Sequence, residues 1–445
     1  MAMRRSIVSE PASAHMIGPI FALLLGLYAA LFLANSIYRV YAFSPDSMNY
    51  VDVARNIAHG RGIVQSTLGF NQPHLFEPTS SIPTPFLTQA PLYPIVIASV
   101  NLLGVGADVA ALTVSGLSFV ALIALIYLLA RMLHGPQVAY ISAGAAALSP
   151  HLRYVARFAW SECLAIALIV GCFLLLVRCS RSPHMIWALL AGFVGALSFG
   201  TRYVCIILLP LGCAYLLMQT RSIISKRTVS YAAVFCVVSS WLFGRNLALS
   251  GTLLPAALSS DRGLYENAKD MALGLLTGYA WSGLPGSGSY LSNRAYLAVA
   301  AVAALTAIFL VWLLRLKGAP LASMLRFALV SDGRYLPAMW VVAYLATLLY
   351  QRTATHFDPI GYRLLSPVYP FLMISCIAVI LGVTRTRAMW WPWIGPALVA
   401  VALLLEVRTS TSWPVLDSQE RIHASSRLEW VATATTPGDL VIGDD

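Results

Sequence analysis

Long apolar segments, separated by short polar ones, run through most of the chain. A helix needs roughly 20 apolar residues to cross the hydrocarbon core of a bilayer, and segments near that length recur up to about residue 405. We place membrane-spanning helices near 17–37, 108–130, 137–150, 162–178, 185–201, 203–219, 228–244, 295–314, 336–350, 366–383 and 389–405. The pattern predicts an all-α polytopic membrane protein with about 11 (10–13) transmembrane helices.

The distribution of charge supports this count. Cytoplasmic loops collect Lys and Arg, and an N-terminus inside the cell gives inner loops that carry the following basic residues: Arg131, Arg178, Arg181, Arg221, Lys226, Arg227, Arg315, Lys317, Arg326, Arg334, Arg385 and Arg387. Only Glu10 and Asp332 are then acidic residues of the inner side, and the other sixteen of the eighteen carboxylates lie outside or at outer helix ends. We therefore expect the ionisable chemistry on the outer face.

This arrangement requires that the apolar segment from Pro91 to Gly104 does not cross the membrane. If it did, every later segment would reverse and the arginine clusters would lie outside, against the positive-inside rule. Its length of roughly 13 residues is typical of an interfacial or re-entrant helix. The first outer loop, residues 38–107, is therefore predicted to hold two helices that lie along the membrane surface.

The first of these surface helices carries its own boundary signals. Ser44 is the predicted N-cap, Pro45 takes the first helical position, and Gly60 and Gly62 end the helix. The predicted apolar face consists of Tyr50, Val51, Ala54, Ile57 and Ala58, and the polar face of Asp52, Arg55, Asn56 and His59. Asp46 falls in the first turn, beside the membrane.

Composition agrees with a membrane protein and excludes an ordinary soluble domain. Apolar residues make up 59% of the 445 residues and charged residues 11%, and the mean hydropathy is +0.75. The net charge of +11 comes from basic residues at the ends of apolar segments. Because membrane topology explains these residues, we predict contact with membrane lipids and no nucleic acid.

The seven cysteines lie in or beside apolar segments without a CxxC pair. We interpret them as packing residues, neither a disulfide framework nor a zinc site. His59, His74 and Glu77 share the first outer loop, but no two histidines have the i, i+4 spacing of a helical metal site. We predict no cofactor and no metal, with a divalent metal as the less favoured alternative.

Three further regions complete the domain organisation. Arg4 and Arg5 precede the first span without a cleavage signature, which indicates a retained signal anchor. A second long outer loop covers 245–294. Residues 1–405 are predicted to form one membrane domain, followed by an outward-facing tail, 406–445. The tail ends in a strand-like pattern, residues 439–445, which belongs either to the start of a small soluble domain or to a strand that pairs with an outer loop.

Four short motifs extend over the region from about residue 17 to 385. They are Ser44-Pro45-Asp46-Ser47 with the helix that follows, Ala90-Pro91-Leu92-Tyr93-Pro94, Phe199-Gly200-Thr201-Arg202-Tyr203 and Tyr362-Arg363-Leu364-Leu365-Ser366-Pro367. On these motifs the chain resembles membrane glycosyltransferases of the GT-C fold, the group of the protein O-mannosyltransferases and the lipid A aminoarabinose transferases. It departs from the mannosyltransferase branch at Ser47, where that branch commonly has a second acidic residue.

The resemblance implies sugar transfer from a polyprenyl-phosphate carrier, with an Asp of the first outer loop as the catalytic base. Asp46 matches that position. Sugar transfer to a hydroxyl group needs a base for the acceptor proton and cations for the departing phosphate. From residue chemistry alone, Asp46 is equally well explained as a carboxylate that stabilises a helix N-terminus; the motif favours catalysis.

Outer-end arginines are the predicted ligands of the donor phosphate, because a guanidinium forks onto phosphate oxygens. The candidates are Arg202, Arg245 and Arg363, for which snorkelling to the interface or pairing with an acid is the alternative. Arg153 and Arg157, one helical turn apart, fit either a second phosphate clamp or a solvated surface. Candidate substrate-binding residues are Tyr50, His59, Glu162 and Trp281, although helix capping explains Glu162 and interfacial anchoring explains the aromatic residues as well.

The predicted function is an inverting glycosyltransferase of the bacterial inner membrane, with a cytoplasmic N-terminus and an active site that faces the periplasm. Its partners are a polyprenyl-phosphate-linked sugar and a lipid, glycan or protein acceptor. The alternatives are a transporter or flippase of a lipid-linked sugar and a lipid-linked glycan polymerase or ligase. Transporters often show repeats and charges at mid-membrane, and this sequence has no visible repeat and few charges inside its spans.

Overall fold

The computed structural model describes residues 13–38, 44–66, 83–220, 225–253, 259–260, 262–279, 333–355, 360–384 and 391–412. The helices are α1 (Ser13–Tyr38), α2 (Pro45–Ala58), α3 (Leu92–Asn101), α4 (Ala107–His134), α5 (Pro136–Leu148), α6 (Pro150–Arg157), α7 (Glu162–Arg181), α8 (Ile186–Thr201), α9 (Leu208–Thr220), α10 (Lys226–Ser250), α11 (Leu264–Tyr279), α12 (Leu336–Ala354), α13 (Tyr362–Leu365), α14 (Tyr369–Thr384) and α15 (Trp391–Ser412). Two short 3₁₀ helices cover Tyr203–Ile207 and Ser366–Val368. The strands β1 (Val64–Gln65) and β2 (Thr84–Pro85) pair antiparallel.

Six described helices are long and apolar enough to cross a membrane. They cover Met16–Tyr38, Ala107–His134, Glu162–Arg181, Lys226–Ser250, Arg363–Gly382 and Trp393–Thr411. Every predicted span except 295–314, which lies outside the described residues, falls on a described helix. The all-α membrane fold is therefore confirmed, and the count of eleven spans stays a prediction.

The two helices predicted in the first outer loop are present as α2 and α3. The Ser44 side chain accepts from the Ser47 amide, and the Ser47 side chain accepts from the Ser44 amide, which makes a reciprocal capping box. Gly60 and Gly62 follow α2 with φ of 74° and 87°, a backbone region that only glycine enters without strain. Tyr50 of α2 packs edge-on against Tyr93 of α3, with ring centroids 4.9 Å apart.

One residue of the predicted polar face of α2 is wrongly assigned. Asn56 is buried, and its side-chain Nδ2 donates to Val64 O at 3.0 Å and to Ser66 Oγ at 2.9 Å. The chain folds back over α2 after Gly62, so this position meets backbone instead of solvent. Asp52 accepts from the Ser66 amide at 2.6 Å in the same connection.

Two element boundaries also differ from the prediction. The segment from Pro150 is a separate helix, α6, because Ser149 caps it by accepting from the Leu152 amide at 3.3 Å. The last helix, α15, continues past the predicted end at residue 405 to Ser412. The carboxylate of Glu406 suggests a helix end in the sequence, but that side chain is fully buried among hydrogen-bond donors.

Close helix contacts depend on small residues in the bundle. A Cβ atom added to Gly395 of α15 would lie 2.4 Å from Tyr140 O of α5, and one added to Gly144 would lie 2.6 Å from Gly395 O. Small residues allow two membrane helices to approach at backbone distance. All seven cysteines are free thiols, as the sequence predicts.

Candidate functional site

The candidate site lies at the beginning of α2, where Asp46 occupies the first turn. The capping box fixes this turn locally. Trp160 fixes it from outside, since its indole Nε1 donates to Ser44 Oγ at 2.6 Å. The carboxylate of Asp46 is therefore attached to a helix end that is held both by its own sequence and by the segment before α7.

Asp46 is held by two donors from different parts of the chain. Its Oδ2 lies 2.5 Å from Arg363 Nη1, and its Oδ1 accepts from Gln89 Nε2 at 3.0 Å. The Asp46 side chain keeps 25% of its surface exposed, so the carboxylate is within reach of an incoming ligand. Gln89 lies just before α3, and Arg363 lies in α13.

Glu162 joins Arg363 to a second arginine. Its Oε1 lies 2.5 Å from Arg363 Nε and 2.5 Å from Arg202 Nη1, while the side chain itself is fully buried. Arg202, Glu162, Arg363 and Asp46 thus form a chain of alternating sign, which we call the charge array. Its two cations and two anions are balanced.

The charge array keeps its arginines positively charged. Burial alone would lower the pKa of Arg202, which lies between α8 and the following 3₁₀ helix, but the attraction of Glu162 more than offsets this and raises that pKa. Arg363 also stacks on an aromatic face, with its Cζ 4.2 Å from the centroid of the Trp160 ring.

Buried hydrogen bonds connect the segments that carry the charge array. Tyr50 OH and Ser161 Oγ are 3.0 Å apart, Tyr93 OH and Ser115 Oγ are 2.6 Å apart, and Ser115 donates to Trp160 O at 3.2 Å. Burial, reinforced by the charge of Asp46, raises the pKa of Tyr50, so this phenol stays neutral. Together with the Tyr50–Tyr93 ring contact, these hydrogen bonds link α2, α3, α4 and the segment before α7.

The structure brings four of the predicted site residues together, namely Asp46, Glu162, Arg202 and Arg363. Arg245 contacts backbone: its Nη2 donates to Phe86 O at 2.9 Å and to Ile63 O at 3.1 Å, beside the paired strands β1 and β2. His59 is exposed, and its Nδ1 lies 2.8 Å from Arg55 O. Trp281 lies outside the described residues. Roles in substrate binding for these residues and for Tyr50 stay predictions.

Three residues of the site are absent from the sequence-based candidates. Gln89 immediately precedes the Ala90-Pro91 motif, and Trp160 and Ser161 immediately precede Glu162. The sequence signal for them is proximity to a motif for Gln89 and to a candidate residue for Trp160 and Ser161, because their partners Asp46, Ser44 and Tyr50 are distant in sequence.

Two acceptor atoms in the site are buried without a hydrogen-bond partner among the described residues, Gln89 Oε1 and Glu162 Oε2. The described residues contain no group of three His, Cys, Asp or Glu side chains that could hold a metal ion. Chemically, the charge array offers a carboxylate that can accept a proton and two guanidinium groups that can bind an anion.

A family model matches part of the sequence. Residues 88–243, a little over a third of the chain, match the model described as dolichyl-phosphate-mannose-protein mannosyltransferase. This region includes Gln89, Trp160, Glu162 and Arg202. No curated protein matches the sequence.

Solved structures match almost the whole chain. ArnT from Cupriavidus metallidurans bound to undecaprenyl phosphate is similar with a TM-score of 0.53 and 14% identity, over 95% of this chain and 70% of that chain. The Archaeoglobus fulgidus oligosaccharyltransferase in complex with Zn and sulfate gives a TM-score of 0.53 and 16% identity, over 94% of this chain and 56% of that chain. The oligosaccharyltransferase AglB from Archaeoglobus fulgidus, in complex with an inhibitory peptide and a dolichol-phosphate, gives a TM-score of 0.51 and 13% identity, over 96% of this chain and 59% of that chain.

This chain therefore spans less than two thirds of the length of the archaeal chains, and 70% of the length of the ArnT chain. At these identities the likeness concerns the fold. It confirms the GT-C fold that the four motifs predict, over almost all of the chain.

Proposed function

We propose that this protein is a membrane glycosyltransferase that moves a sugar from a polyprenyl-phosphate carrier to a hydroxyl group of a lipid, glycan or protein. The observation that carries the proposal is the ion pair between Asp46 and Arg363 within the charge array. This transfer requires a base for the acceptor proton and a cation for the leaving phosphate, and this pair places both groups at one site. The printed ligands of the similar structures, undecaprenyl phosphate and dolichol-phosphate, support the donor class.

In the proposed reaction, Asp46 takes the proton of the acceptor hydroxyl as its oxygen attacks the anomeric carbon. The bond from that carbon to the phosphate oxygen breaks, and its electron pair leaves with the polyprenyl phosphate. Because this is one displacement, the anomeric configuration inverts. The phosphate is a good leaving group without protonation, so the chain needs cations and no general acid on that side.

Arg363 has two roles in this scheme: it pairs with the base, Asp46, and it binds the donor phosphate. A donor phosphate that binds Arg363 competes with the Asp46 carboxylate for the same guanidinium. Donor binding would thus free Asp46 to act as a base. The second arginine, Arg202, stays paired with the buried Glu162 and supplies charge for the leaving phosphate.

We place the enzyme in the bacterial inner membrane with its N-terminus in the cytoplasm and the charge array on the periplasmic side. Support comes from the segregation of basic and acidic residues between the predicted loops. The acceptor would approach from the same side, beside α2 and α3.

The test is transfer of a radiolabelled sugar from a panel of polyprenyl-phosphate donors in proteoliposomes that contain wild type or Asp46→Asn. We expect the variant to lose activity by about 10²–10⁴-fold, the usual contribution of a general base. Asp52→Asn is the matched control on the same helix, because an amide oxygen still accepts from the Ser66 amide. That control should retain its turnover.

Full activity of a correctly inserted Asp46→Asn protein would exclude Asp46 as the base. Label that changes leaflet without joining an acceptor, equally in wild type and variant, would indicate a flippase instead of a transferase.

A further inference from the structure

A second arginine cluster lies on α6, outside the charge array. Arg153 and Arg157 both contact the fully buried carboxylate of Glu406 in α15. Arg153 donates to Oε1 through its Nη2, and its Nε donates to the same oxygen at 3.1 Å; Arg157 Nη2 lies 2.9 Å from each oxygen. Asn35 of α1 adds an Nδ2 donor to Oε2 at 2.9 Å. We call these residues the Glu406 cluster.

The Glu406 cluster is not balanced in charge. Two guanidinium groups share one carboxylate, whereas the charge array has two of each sign. Both oxygens of Glu406 already accept more than one hydrogen bond, so this carboxylate has little capacity left for further donors. Within the described residues, the cluster therefore carries a surplus positive charge.

Arg157 is the residue of the cluster whose buried charge and hydrogen-bond donors are incompletely matched. Its Nε is buried without an acceptor among the described residues. Burial lowers the pKa of Arg157, even though the attraction of Glu406 acts in the opposite direction. Burying an unpaired donor or charge is unfavourable, and such groups are normally matched by an anion or a hydrogen-bond acceptor.

The cluster remains accessible. The side chains of Arg153 and Arg157 keep 11% and 19% of their surface exposed. One face of the Arg157 guanidinium lies 5.6 Å from the centroid of the buried Phe32 ring, so its nitrogen-bearing edge is left for polar partners. A planar fork of this kind matches the oxygens of a phosphate.

We propose that Arg153 and Arg157 form a second anion site that binds a phosphate group, carried by a lipid at the outer end of the bundle. The position supports a lipid, because α6 follows the apolar helix α5 and the cluster involves the last turns of the spanning helix α1. Phe158, which follows α6, stacks on the Trp160 ring with centroids 4.3 Å apart, and Arg363 of the charge array lies over that same Trp160 ring. The site is thus adjacent in sequence to the proposed catalytic site but separate in its contacts.

The test measures binding without any sugar donor, so its outcome is independent of the proposed transferase activity. The purified full chain is incubated with phosphatidylglycerol or with diacylglycerol of the same acyl chains, and retained lipid is counted by native mass spectrometry. A third arm measures thermal stabilisation by inorganic phosphate. We expect wild type to retain phosphatidylglycerol in preference to diacylglycerol.

Two substitutions should act in opposite directions. Arg157→Gln leaves one arginine with one carboxylate, and we expect phosphatidylglycerol retention to fall about tenfold, the loss of one charge-assisted contact. Glu406→Gln leaves two arginines without a carboxylate, and we expect retention to rise. Arg131→Gln, which removes an exposed arginine from the predicted inner end of α4, is the control for net charge and should change nothing.

A simple structural clamp predicts that both cluster variants lose stability and that neither gains lipid. That result, or equal retention by wild type and Arg157→Gln, would overturn the site. Stabilisation by inorganic phosphate together with phosphatidylglycerol retention supports a lipid source; stabilisation by phosphate alone would assign the site to a free anion. If Arg157→Gln fails to fold, the sign of the Glu406→Gln effect still decides.

Discussion

Arg363 and Arg245 show how residues with the same predicted role acquire different surroundings. The sequence places both at outer helix ends. The structure pairs Arg363 with two carboxylates and an aromatic ring, whereas Arg245 donates to the carbonyl groups of Ile63 and Phe86. Since a guanidinium that satisfies backbone carbonyls is already engaged, we expect the two arginines to differ in function.

Arg363→Gln and Arg245→Gln form a matched pair for this difference. Arg363→Gln should lower kcat/KM for the lipid donor by about 10²–10³-fold, as expected for the loss of a group that stabilises a leaving anion. Arg245→Gln should lower the free energy of unfolding by about 1–3 kcal/mol through unpaired carbonyl groups, with a smaller effect on kcat/KM. Steady-state kinetics and thermal unfolding of both variants check this. An equal loss of kcat/KM in both variants would instead assign Arg245 to the phosphate.

At the scale of elements, α2 is the helix that links local sequence signals to the site. Its N-cap Ser44 accepts from the Ser47 amide and from the Trp160 indole. Helix propensity and capping are local and could be predicted, but the indole contact joins positions 116 residues apart. The orientation of the turn that carries Asp46 therefore depends on the local cap and on the long-range indole contact.

Ser44→Ala removes the cap and leaves the Trp160 indole without its acceptor. We expect α2 to lose about 0.5–2 kcal/mol of local stability, the usual value for an N-cap serine. Amide hydrogen exchange across residues 47–50 should become correspondingly faster. Ser99→Ala on the exposed side of α3 is the control and should leave that exchange unchanged. Unaltered exchange in Ser44→Ala would mean that other contacts hold the turn.

At the scale of the whole molecule, the packing of distant spans depends on glycine positions. α5 and α15 approach each other at Gly144 and Gly395, and α15 carries Glu406 to the arginines of α6. The contact therefore positions the Glu406 cluster as well as the bundle.

Gly395→Ala should disrupt this approach, because its Cβ would lie 2.4 Å from the backbone oxygen of Tyr140. Overpacking of this kind costs about 1–3 kcal/mol, which we expect as a lower melting temperature in detergent. Gly382→Ala is the control, since a Cβ there meets nothing within 4 Å. It should be neutral or slightly stabilising, because alanine favours helix by up to ~1 kcal/mol over glycine. Equal melting temperatures for the two variants would contradict the close approach.

Membrane orientation is also a property of the whole molecule. Ser99 of α3 and His184 before α8 are both exposed. Ser99→Cys should react with a membrane-impermeant maleimide in intact spheroplasts. His184→Cys should react only after permeabilisation, since His184 follows the basic last turn of α7, which carries Arg178 and Arg181. The wild-type chain supplies the background from its own thiols. The reverse labelling pattern would invert the proposed topology.

The sequence by itself determined the features whose causes are local or one-dimensional. Apolar length predicts the spans, and charge asymmetry predicts their orientation in the membrane. A serine followed by a proline, with glycines after the last turn, predicts both ends of α2. These features can be predicted from sequence because the residues that cause each of them are neighbours in the chain.

Tertiary structure alone decided which charged groups meet. Glu162 and Arg363 are 201 residues apart, and Arg153 and Glu406 are 253 residues apart. A buried carboxylate is tolerated only with compensating donors, and sequence spacing carries no information on which distant donors those are. For the same reason the predicted last span ends before Glu406, whereas the helix continues to Ser412. The fold brings together residues that no local pattern connects, because bundle packing sets those distances.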